Sequence, residues 1–155
     1  MSDVHQDIEK VVADYRECWT RLDFGGLARL WDRESAVLLY VAEEAPAPLF
    51  DFDQIEEYWR RTRAATEAIQ LETWNLVARP LPEGLASAVY DMRWIGRFTG
   101  YARPIGGELR VSALLRRGAG RWRFIQYVEA PLAPVVYLKR AYERFAAAPP
   151  PKEPR

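Results

Sequence analysis

A chain of 155 residues with 49% hydrophobic and 28% charged residues is long enough for one globular domain and too short to predict two. Its formal charge of zero gives no field that would attract nucleic acid or an anionic membrane, and its one cysteine excludes an internal disulfide or a cysteine-cluster metal site. No run reaches the roughly 18 apolar residues of a membrane span, and the first ten residues contain no hydrophobic signal core. We therefore expect a cytoplasmic protein that binds neither nucleic acid nor a membrane.

The first thirty residues predict two helices. Asp3 is suited to cap a helix whose apolar residues recur at spacings of three and four. This apolar stripe consists of Ile8, Val11, Val12, Tyr15, Cys18, Trp19 and Leu22. Gly25 and Gly26 are expected to end the helix, and a short second helix is predicted from Leu27 to Trp31.

A strand, a loop and a third helix follow. Ala36 to Val41 is a nearly continuous apolar run, which predicts a short buried strand. Ala42 to Pro48 is predicted to be a loop, because two prolines and two glutamates cannot continue a central strand. Asp53 is expected to cap the third helix, with Glu56 at the capping-box position. The apolar face of that helix would hold Ile55, Tyr58, Trp59 and Thr62.

Beyond residue 70 the hydrophobic period changes to two, which is typical of strands. One strand is predicted from Gln70 to Arg79, and a longer one from Leu85 to Phe98. The longer strand would present Tyr90, Met92, Trp94 and Phe98 on one face and Val89, Asp91, Arg93, Ile95 and Arg97 on the other. A loop from Thr99 to Gly107 leads into the last two strands.

The segment from Leu109 to Pro131 predicts a β-hairpin, with Gly118 and Gly120 supplying the positive φ of its turn. The glycines here and at 106–107 suit hairpin turns rather than a phosphate-binding loop, so no cofactor is expected. The first strand places Leu109, Val111, Ala113 and Leu115 on one face. The second strand is apolar on both faces, with Trp122, Phe124 and Val128 on one and Ile125 and Tyr127 on the other. Cover on both sides would require a partner chain, so we expect a homodimer through the outer sheet face.

Pro134 is suited to begin a last helix that reaches Ala147. Its apolar stripe would consist of Leu138, Ala141, Tyr142 and Phe145. The proline-rich residues 149–155 are expected to be disordered. This order of elements predicts one α+β domain over residues 1–148, in which a curved antiparallel sheet wraps around the long N-terminal helix.

Two segments, LDFGGLARLWD at 22–32 and GRWRFIQYVEAP at 120–131, and the order of elements resemble the nuclear transport factor 2-like superfamily. Within that superfamily the chain is most similar to the SnoaL-like and ketosteroid isomerase-like branch, over roughly residues 5–131. The resemblance implies a cone with a pocket between the sheet and the helices, commonly dimeric through the outer sheet face. The fold hosts isomerases, dehydratases, epoxide hydrolases, cyclases and non-catalytic subunits, so it does not define a function.

The ketosteroid isomerase-like branch implies two carboxyl groups, on the first and penultimate strands, and a tyrosine on the first helix. In this chain those positions fall on Leu39, Ala113 and Cys18, so steroid-type isomerisation by that mechanism is not expected. The only histidine is His5, near the terminus, which excludes a histidine-based catalytic pair or a histidine-rich metal site. Cys18 lies on the apolar stripe and is interpreted as a core residue.

Glu129 is the candidate proton-transfer group, because the resemblance turns it toward the pocket together with Ile125 and Tyr127. A carboxyl among aromatic rings has a raised pKa, as an acid or base acting near neutral pH requires. Tyr127 could then hold or polarise a substrate. The alternative is that Glu129 pairs with an arginine at the rim. Asp91 and Arg93 are similar to the Asp/Arg arrangement of the family's epoxide hydrolases, although in a different order, and the alternative for them is a surface ion pair.

Aromatic side chains on the elements around the expected pocket indicate a site for a small apolar or aromatic molecule. The candidate ligand-binding residues are Tyr15, Trp19, Tyr40, Tyr58, Trp59, Tyr90, Trp94 and Ile125. Three functions remain open at this point. The first is a dimeric pocket domain that binds such a molecule, the second is an acid–base enzyme of the hydrolase, dehydratase or polyketide-cyclase type using Glu129 and Tyr127, and the third is a non-catalytic assembly subunit.

Overall fold

The computed structural model of the chain describes residues 3–132 together with Lys139 and Glu143. The helix predicted from Pro134 to Ala147 and the tail at 149–155 fall outside these described residues, apart from those two positions. Within the described residues, no helix is long and apolar enough to cross a membrane. In chain order the elements are α1 (Val4–Thr20), α2 (Phe24–Arg29), β1 (Leu39–Val41), α3 (Phe52–Ala65), β2 (Thr66–Leu81), β3 (Leu85–Phe98), β4 (Ile105–Gly118) and β5 (Arg121–Pro131).

The five strands form one open, curved, mixed sheet in the order β1-β5-β4-β3-β2. β1 runs parallel to β5, with Tyr40 opposite Tyr127, and all other neighbours are antiparallel. The inner face of the sheet and the apolar stripe of α1 together form the hydrophobic core. The predicted α+β class, with a curved sheet around the N-terminal helix, is therefore confirmed.

The sequence correctly placed the start of α1 and the face that it buries. Asp3 caps the helix, since its carboxylate accepts a hydrogen bond from the backbone N–H of His5 at 3.0 Å. The helix ends at Thr20, two residues before Leu22 turns into the left-handed region at φ 53°. Its buried side chains are Ile8, Val11, Val12, Tyr15 and Trp19.

The second helix begins earlier than predicted. Gly25 and Gly26 do not end α1 but lie inside α2, because Asp23 caps that helix by accepting from the Gly26 N–H at 2.7 Å. A Cβ at Gly26 would lie only 2.6 Å from the Cys18 sulfur. The absence of a side chain at Gly26 therefore lets α2 pack directly against α1.

The cap of α3 lies two residues before the predicted one. Asp51, not Asp53, accepts from the backbone N–H of Gln54 at 2.8 Å. The Gln54 side chain in turn accepts from the backbone N–H of Phe50 at 2.8 Å, so Glu56 has no part in the cap. Gln54 thus takes the third position of a capping box, although its side chain bonds to the residue before the cap and not to the backbone N–H of Asp51 itself.

A β-bulge in β5 overturns the expected division of its two faces. Leu115 pairs with Phe124 while position 114 pairs with Gln126, so Ile125 is an extra residue without a partner across the ladder. Phe124 and Trp122 therefore face the core, where Phe124 is completely buried. The exposed patch that they were expected to form does not exist, and they cannot be the motive for a dimer.

The hairpin itself is confirmed, with one change at its turn. Positive φ falls on Ala119 (49°) and Gly120 (75°), not on Gly118, as a two-residue turn with two left-handed central residues requires. β4 begins at Ile105, four residues before the predicted Leu109. Its predicted inner face is confirmed, since Leu109, Val111, Ala113 and Leu115 are all buried.

Candidate functional site

A cavity of about 150 Å³ lies between the sheet, α1, α3 and the loop that follows β1. Most of its wall is apolar or aromatic, and the polar groups are concentrated in three glutamates. The cavity is lined by Tyr15, Trp19, Tyr40, Glu43, Glu44, Tyr58, Thr62, Ile69, Leu71, Met92, Trp94, Phe98 and Glu129. An apolar hollow with a few convergent polar groups has the general composition of a small-molecule site.

Glu129 reaches this cavity because the bulge at Ile125 precedes it and the strand alternates regularly afterwards, with Glu129 opposite Val111. Its carboxyl accepts hydrogen bonds from the Tyr40 hydroxyl at 3.2 Å and from the backbone N–H of Glu43 at 3.0 Å. Burial is the main cause that raises the pKa of Glu129 to about 8. The neighbouring carboxylates raise this pKa further, while the two hydrogen bonds lower it.

Within the described residues, no arginine pairs with Glu129, which was the alternative expectation for this carboxyl. Its hydrogen-bond partners are a tyrosine hydroxyl and a backbone amide, and the charged groups that act on its pKa are Glu44 and Glu43. These two carboxylates repel the ionised form of Glu129 instead of stabilising it. Glu129 therefore changes its protonation state near neutral pH, as a general acid or base must.

Tyr40 is oriented toward Glu129 by the pairing of β1 on both sides. Its backbone bonds to Leu49 on one side, and β1 pairs with β5 on the other. The ring packs perpendicular to the rings of Tyr58 at 5.4 Å and Tyr127 at 5.5 Å. Burial raises the pKa of Tyr40 well above its ordinary value, so its hydroxyl stays protonated and donates to the carboxyl.

Two cavity residues, Glu43 and Glu44, were not identified from the sequence. The Trp94 indole N–H donates to the Glu43 carboxylate at 2.5 Å, and the Tyr58 hydroxyl donates to the Glu44 carboxylate. Burial raises the pKa of Glu43, and the hydrogen bond from Trp94 lowers it. A pair of glutamates followed closely by two prolines has the sequence signature of a solvated loop, and only the tertiary contacts reveal that these two turn inward.

Five of the predicted ligand-binding residues line the cavity, namely Tyr15, Trp19, Tyr40, Tyr58 and Trp94. Three do not. Trp59 is buried between α2 and α3 against Phe24, Trp31 and Phe52. Tyr90 is buried in the core on β3 and does not line the cavity. Ile125 is the unpaired bulge residue of β5 and lies outside the core cluster.

Tyr127, the second predicted catalytic residue, lies behind the cavity wall. Its ring stacks on Tyr15 at 4.9 Å, and its hydroxyl accepts a hydrogen bond from the Tyr90 hydroxyl at 2.9 Å. It is completely buried and does not line the cavity. The structure thus makes Tyr127 a support for Tyr15 and Tyr40 and does not bring its hydroxyl to a ligand.

Asp91 and Arg93 lie on the outer face of the sheet, away from the cavity. Asp91 contacts Arg110 at 3.4 Å and accepts from the Asn75 amide at 2.9 Å, while Arg93 pairs with Glu72. The surface interpretation of this pair is the one that the structure supports. Among the described residues, no cluster of three His, Cys, Asp or Glu side chains is arranged to hold a metal ion.

A curved sheet over a long helix, with a cavity between them, defines the α+β pocket domains of the nuclear transport factor 2-like superfamily. The chain belongs to the SnoaL-like domain family, whose model matches residues 8–134. The resemblance drawn from the sequence is thus confirmed. None of the curated protein sequences compared with the chain matches it significantly.

Solved structures agree on the fold at low sequence identity. A candidate scytalone dehydratase from Novosphingobium aromaticivorans DSM 12444 is 13% identical, with a TM-score of 0.74 over 83% of each chain. A nuclear transport factor 2-like superfamily protein from Salmonella enterica serovar Typhimurium LT2 is 15% identical, with a TM-score of 0.74 over 84% of this chain and 92% of the other. A hexachlorocyclohexane dehydrochlorinase (LinA, type 2) is 14% identical, with a TM-score of 0.68 over 83% and 88%.

Proposed function

We propose that this domain binds a small, mainly apolar ring molecule in the cavity and that Glu129 transfers a proton to or from it. The observation that carries the proposal is a carboxyl with a pKa of about 8 at the wall of an aromatic cavity. Such a group is about nine-tenths protonated at pH 7, so both of its protonation states are available. General acid–base catalysis is most effective when the pKa lies close to the working pH.

The cavity volume limits the size of the ligand. A hollow of about 150 Å³ in a protein core is known to hold one benzene molecule. This cavity has the same volume, so a single six-membered ring with a small substituent fits without rearrangement. A molecule with several fused rings would require Glu43 and Glu44 to move outward with their loop.

A single carboxyl of this kind suits isomerisation or elimination. In an elimination, the ionised carboxylate takes a proton from one carbon atom, the C–H electron pair forms a C=C bond as the C–O bond of the neighbouring carbon breaks, and the departing oxygen takes the proton from the carboxylic acid and leaves as water. In an isomerisation, the C–H electron pair moves into an enolate and the carboxylic acid returns the proton to another atom of the same ligand. Tyr40 holds the carboxyl in position throughout, since its hydroxyl donates to one of the two carboxyl oxygens. The candidate scytalone dehydratase and the dehydrochlorinase are named for eliminations of water and of hydrogen chloride, which supports this class as an analogy of fold.

Proton exchange on a small cyclic ketone tests the proposal without knowledge of the natural ligand. Cyclohexanone is a single ring with one oxygen, and loss of an α-proton in D₂O is followed by NMR. We expect the protein to accelerate this exchange and Glu129→Gln to abolish the acceleration, while Glu67→Gln, an exposed carboxyl outside the cavity, leaves it unchanged. Binding without accelerated exchange would favour the pocket domain that only binds its ligand. If cyclohexanone neither binds nor exchanges its α-protons faster, the proposal is contradicted and an assembly subunit is favoured.

We also propose a homodimer through the outer face of the sheet. The reason is no longer Trp122 and Phe124, which the bulge turns into the core. Val77 and Val89 pair across β2 and β3 on that face and are 50% and 49% exposed. Apolar side chains that are exposed on a sheet face are stabilised when a second copy covers them. Sedimentation equilibrium at micromolar concentration tests the association.

A further inference from the structure

The cavity carries an excess of acidic groups. Glu43 and Glu44 from the loop after β1 and Glu129 from β5 all line it. Among the lining residues, which all belong to the described part of the chain, there is no lysine, arginine or histidine. A ligand that carries a carboxylate or a phosphate would therefore find no cationic partner among them and would be repelled by the ionised carboxylates.

The rest of the wall presents aromatic rings from four elements at steep angles to one another. The ring planes of Tyr40 and Tyr58 meet at 88° with centroids 5.4 Å apart, and those of Trp94 and Phe98 meet at 84°. Rings set at such angles cannot all stack on one flat guest, but they surround a small group from several sides. This is the arrangement in which electron-rich ring faces bind an organic cation.

We propose that the ligand of this cavity is a cationic amine, an ammonium group on a single apolar ring, held by the aromatic faces and by the carboxylates of Glu43, Glu44 and Glu129. The inference rests on the proposed function, because it names the ligand class of the same cavity. The carboxylates and the rings point to it independently, the first through charge and the second through geometry. Within residues 3–132 these acids are not arranged to bind a metal ion, so the cation that they suit is an organic one.

Binding of a cation should release protons. In the free cavity, burial raises the pKa of Glu129 to about 8, so this carboxyl is mostly protonated at neutral pH, and burial also raises the pKa of Glu43. An ammonium group beside them favours their ionised forms and lowers both pKa values. The titratable groups that face the cavity from α1, β1, its following loop, α3 and β5 are Tyr15, Tyr40, Glu43, Glu44, Tyr58 and Glu129. Burial holds the three tyrosines neutral, so the released protons come from the carboxyls.

Three probes of nearly equal size test the ligand class: benzylamine, benzyl alcohol and benzoate. Chemical shifts of the Trp19 and Trp94 indole protons follow binding, because both side chains line the cavity. We expect benzylamine to bind about tenfold more tightly than benzyl alcohol, as a cation–π contact with a carboxylate partner implies, and benzoate not to bind. Calorimetry at pH 7 in two buffers of different ionisation enthalpy should show proton release with benzylamine only.

Variants separate the charge of the cavity from its shape. Glu43→Gln and Glu129→Gln should each reduce the preference for benzylamine over benzyl alcohol, whereas Glu67→Gln should leave it unchanged, because Glu67 is exposed and outside the cavity. If benzyl alcohol binds as well as benzylamine, the cation inference is wrong while the ligand-binding proposal stands. If none of the three probes shifts either indole signal, both are wrong.

Discussion

Replacing Glu129 by glutamine should remove the pH dependence of stability that this residue imposes. The pKa of Glu129 is about 8 in the folded protein and 4.5 for an ordinary glutamate. The proton is therefore bound more tightly in the folded state, and the stability that it contributes is complete below pH 4.5 and is lost as the pH rises toward 8. At about 1.36 kcal/mol for each pKa unit, the loss across this window is about 5 kcal/mol of unfolding free energy, of which about 3 kcal/mol is lost by pH 7.

Glutamine cannot ionise, so the variant does not suffer this loss. It keeps one carbonyl oxygen as an acceptor for the two donors from Tyr40 and Glu43, which costs about 1 kcal/mol relative to the protonated acid. The variant should thus be slightly less stable than the wild type at pH 5 and more stable by about 3.5 kcal/mol at pH 8.5. The crossing of the two curves is the distinctive result.

Urea unfolding followed by tryptophan fluorescence, at half-unit steps from pH 4.5 to 9, measures this difference directly. Glu67→Gln is the control for removal of an exposed carboxyl, and its curve should run parallel to that of the wild type. Parallel curves for the wild type and Glu129→Gln would refute the reasoning, because they would mean that Glu129 has the same pKa in the folded and unfolded states.

Three further predictions follow from contacts described above. Tyr40→Phe removes a hydroxyl whose hydrogen bond lowers the pKa of Glu129. The pKa of Glu129 should therefore rise further in a ¹³C carboxyl NMR titration, and the protein should lose about 1 kcal/mol in stability. Gly26→Ala should destabilise the fold by about 1–3 kcal/mol in urea unfolding, because its Cβ would press on the Cys18 sulfur, whereas Gly25→Ala, with its nearest atom 3.6 Å away, should be neutral or stabilising. Phe124→Glu should unfold the protein, since Phe124 is completely buried, while Val89→Glu should keep the circular dichroism of the wild type and sediment as a monomer. A folded Phe124→Glu variant that merely dissociates would contradict the assignment of this side chain to the core.

Local patterns predicted the elements of the fold well, because the residues that define them are close in sequence. The stripe of α1 follows from spacings of three and four, and the inner face of β3 follows from strict alternation. Tyr90 and Met92 are buried, Trp94 lines the cavity, and Asp91 and Arg93 face outward, as the alternation predicts. The position of Glu129 on the same face as Tyr127 was also predictable, since the two are separated by an undisturbed stretch of strand.

The errors have a different origin. Whether Ile125 is paired or extra depends on how β5 aligns with β4, and its own side chain is compatible with either. The inward turn of Glu43 and Glu44 depends on Trp94 and Tyr58, which are 51 and 14 residues away along the chain. These are tertiary choices, so neither propensity nor periodicity could supply them. The candidate site was consequently predicted in its aromatic walls and one carboxyl, and missed in its other two carboxyls.

Ile125, the extra residue in β5, shifts the inward-facing positions of the strand by one residue and so separates two functional halves. Before Ile125 the inward positions build the core through Trp122 and Phe124, and after it they serve the cavity through Glu129. If Ile125 were kept and β5 paired without the bulge, strict alternation would turn one of the two halves toward solvent. A homologue that lacks both this residue and the bulge would keep the buried rings and the acid on one face, because the extra position in sequence and the shift in alternation are lost together. Any gap in an alignment of this strand must therefore be placed at the bulge, so that Phe124 and Glu129 are each compared with the residues that occupy their positions on the inner face.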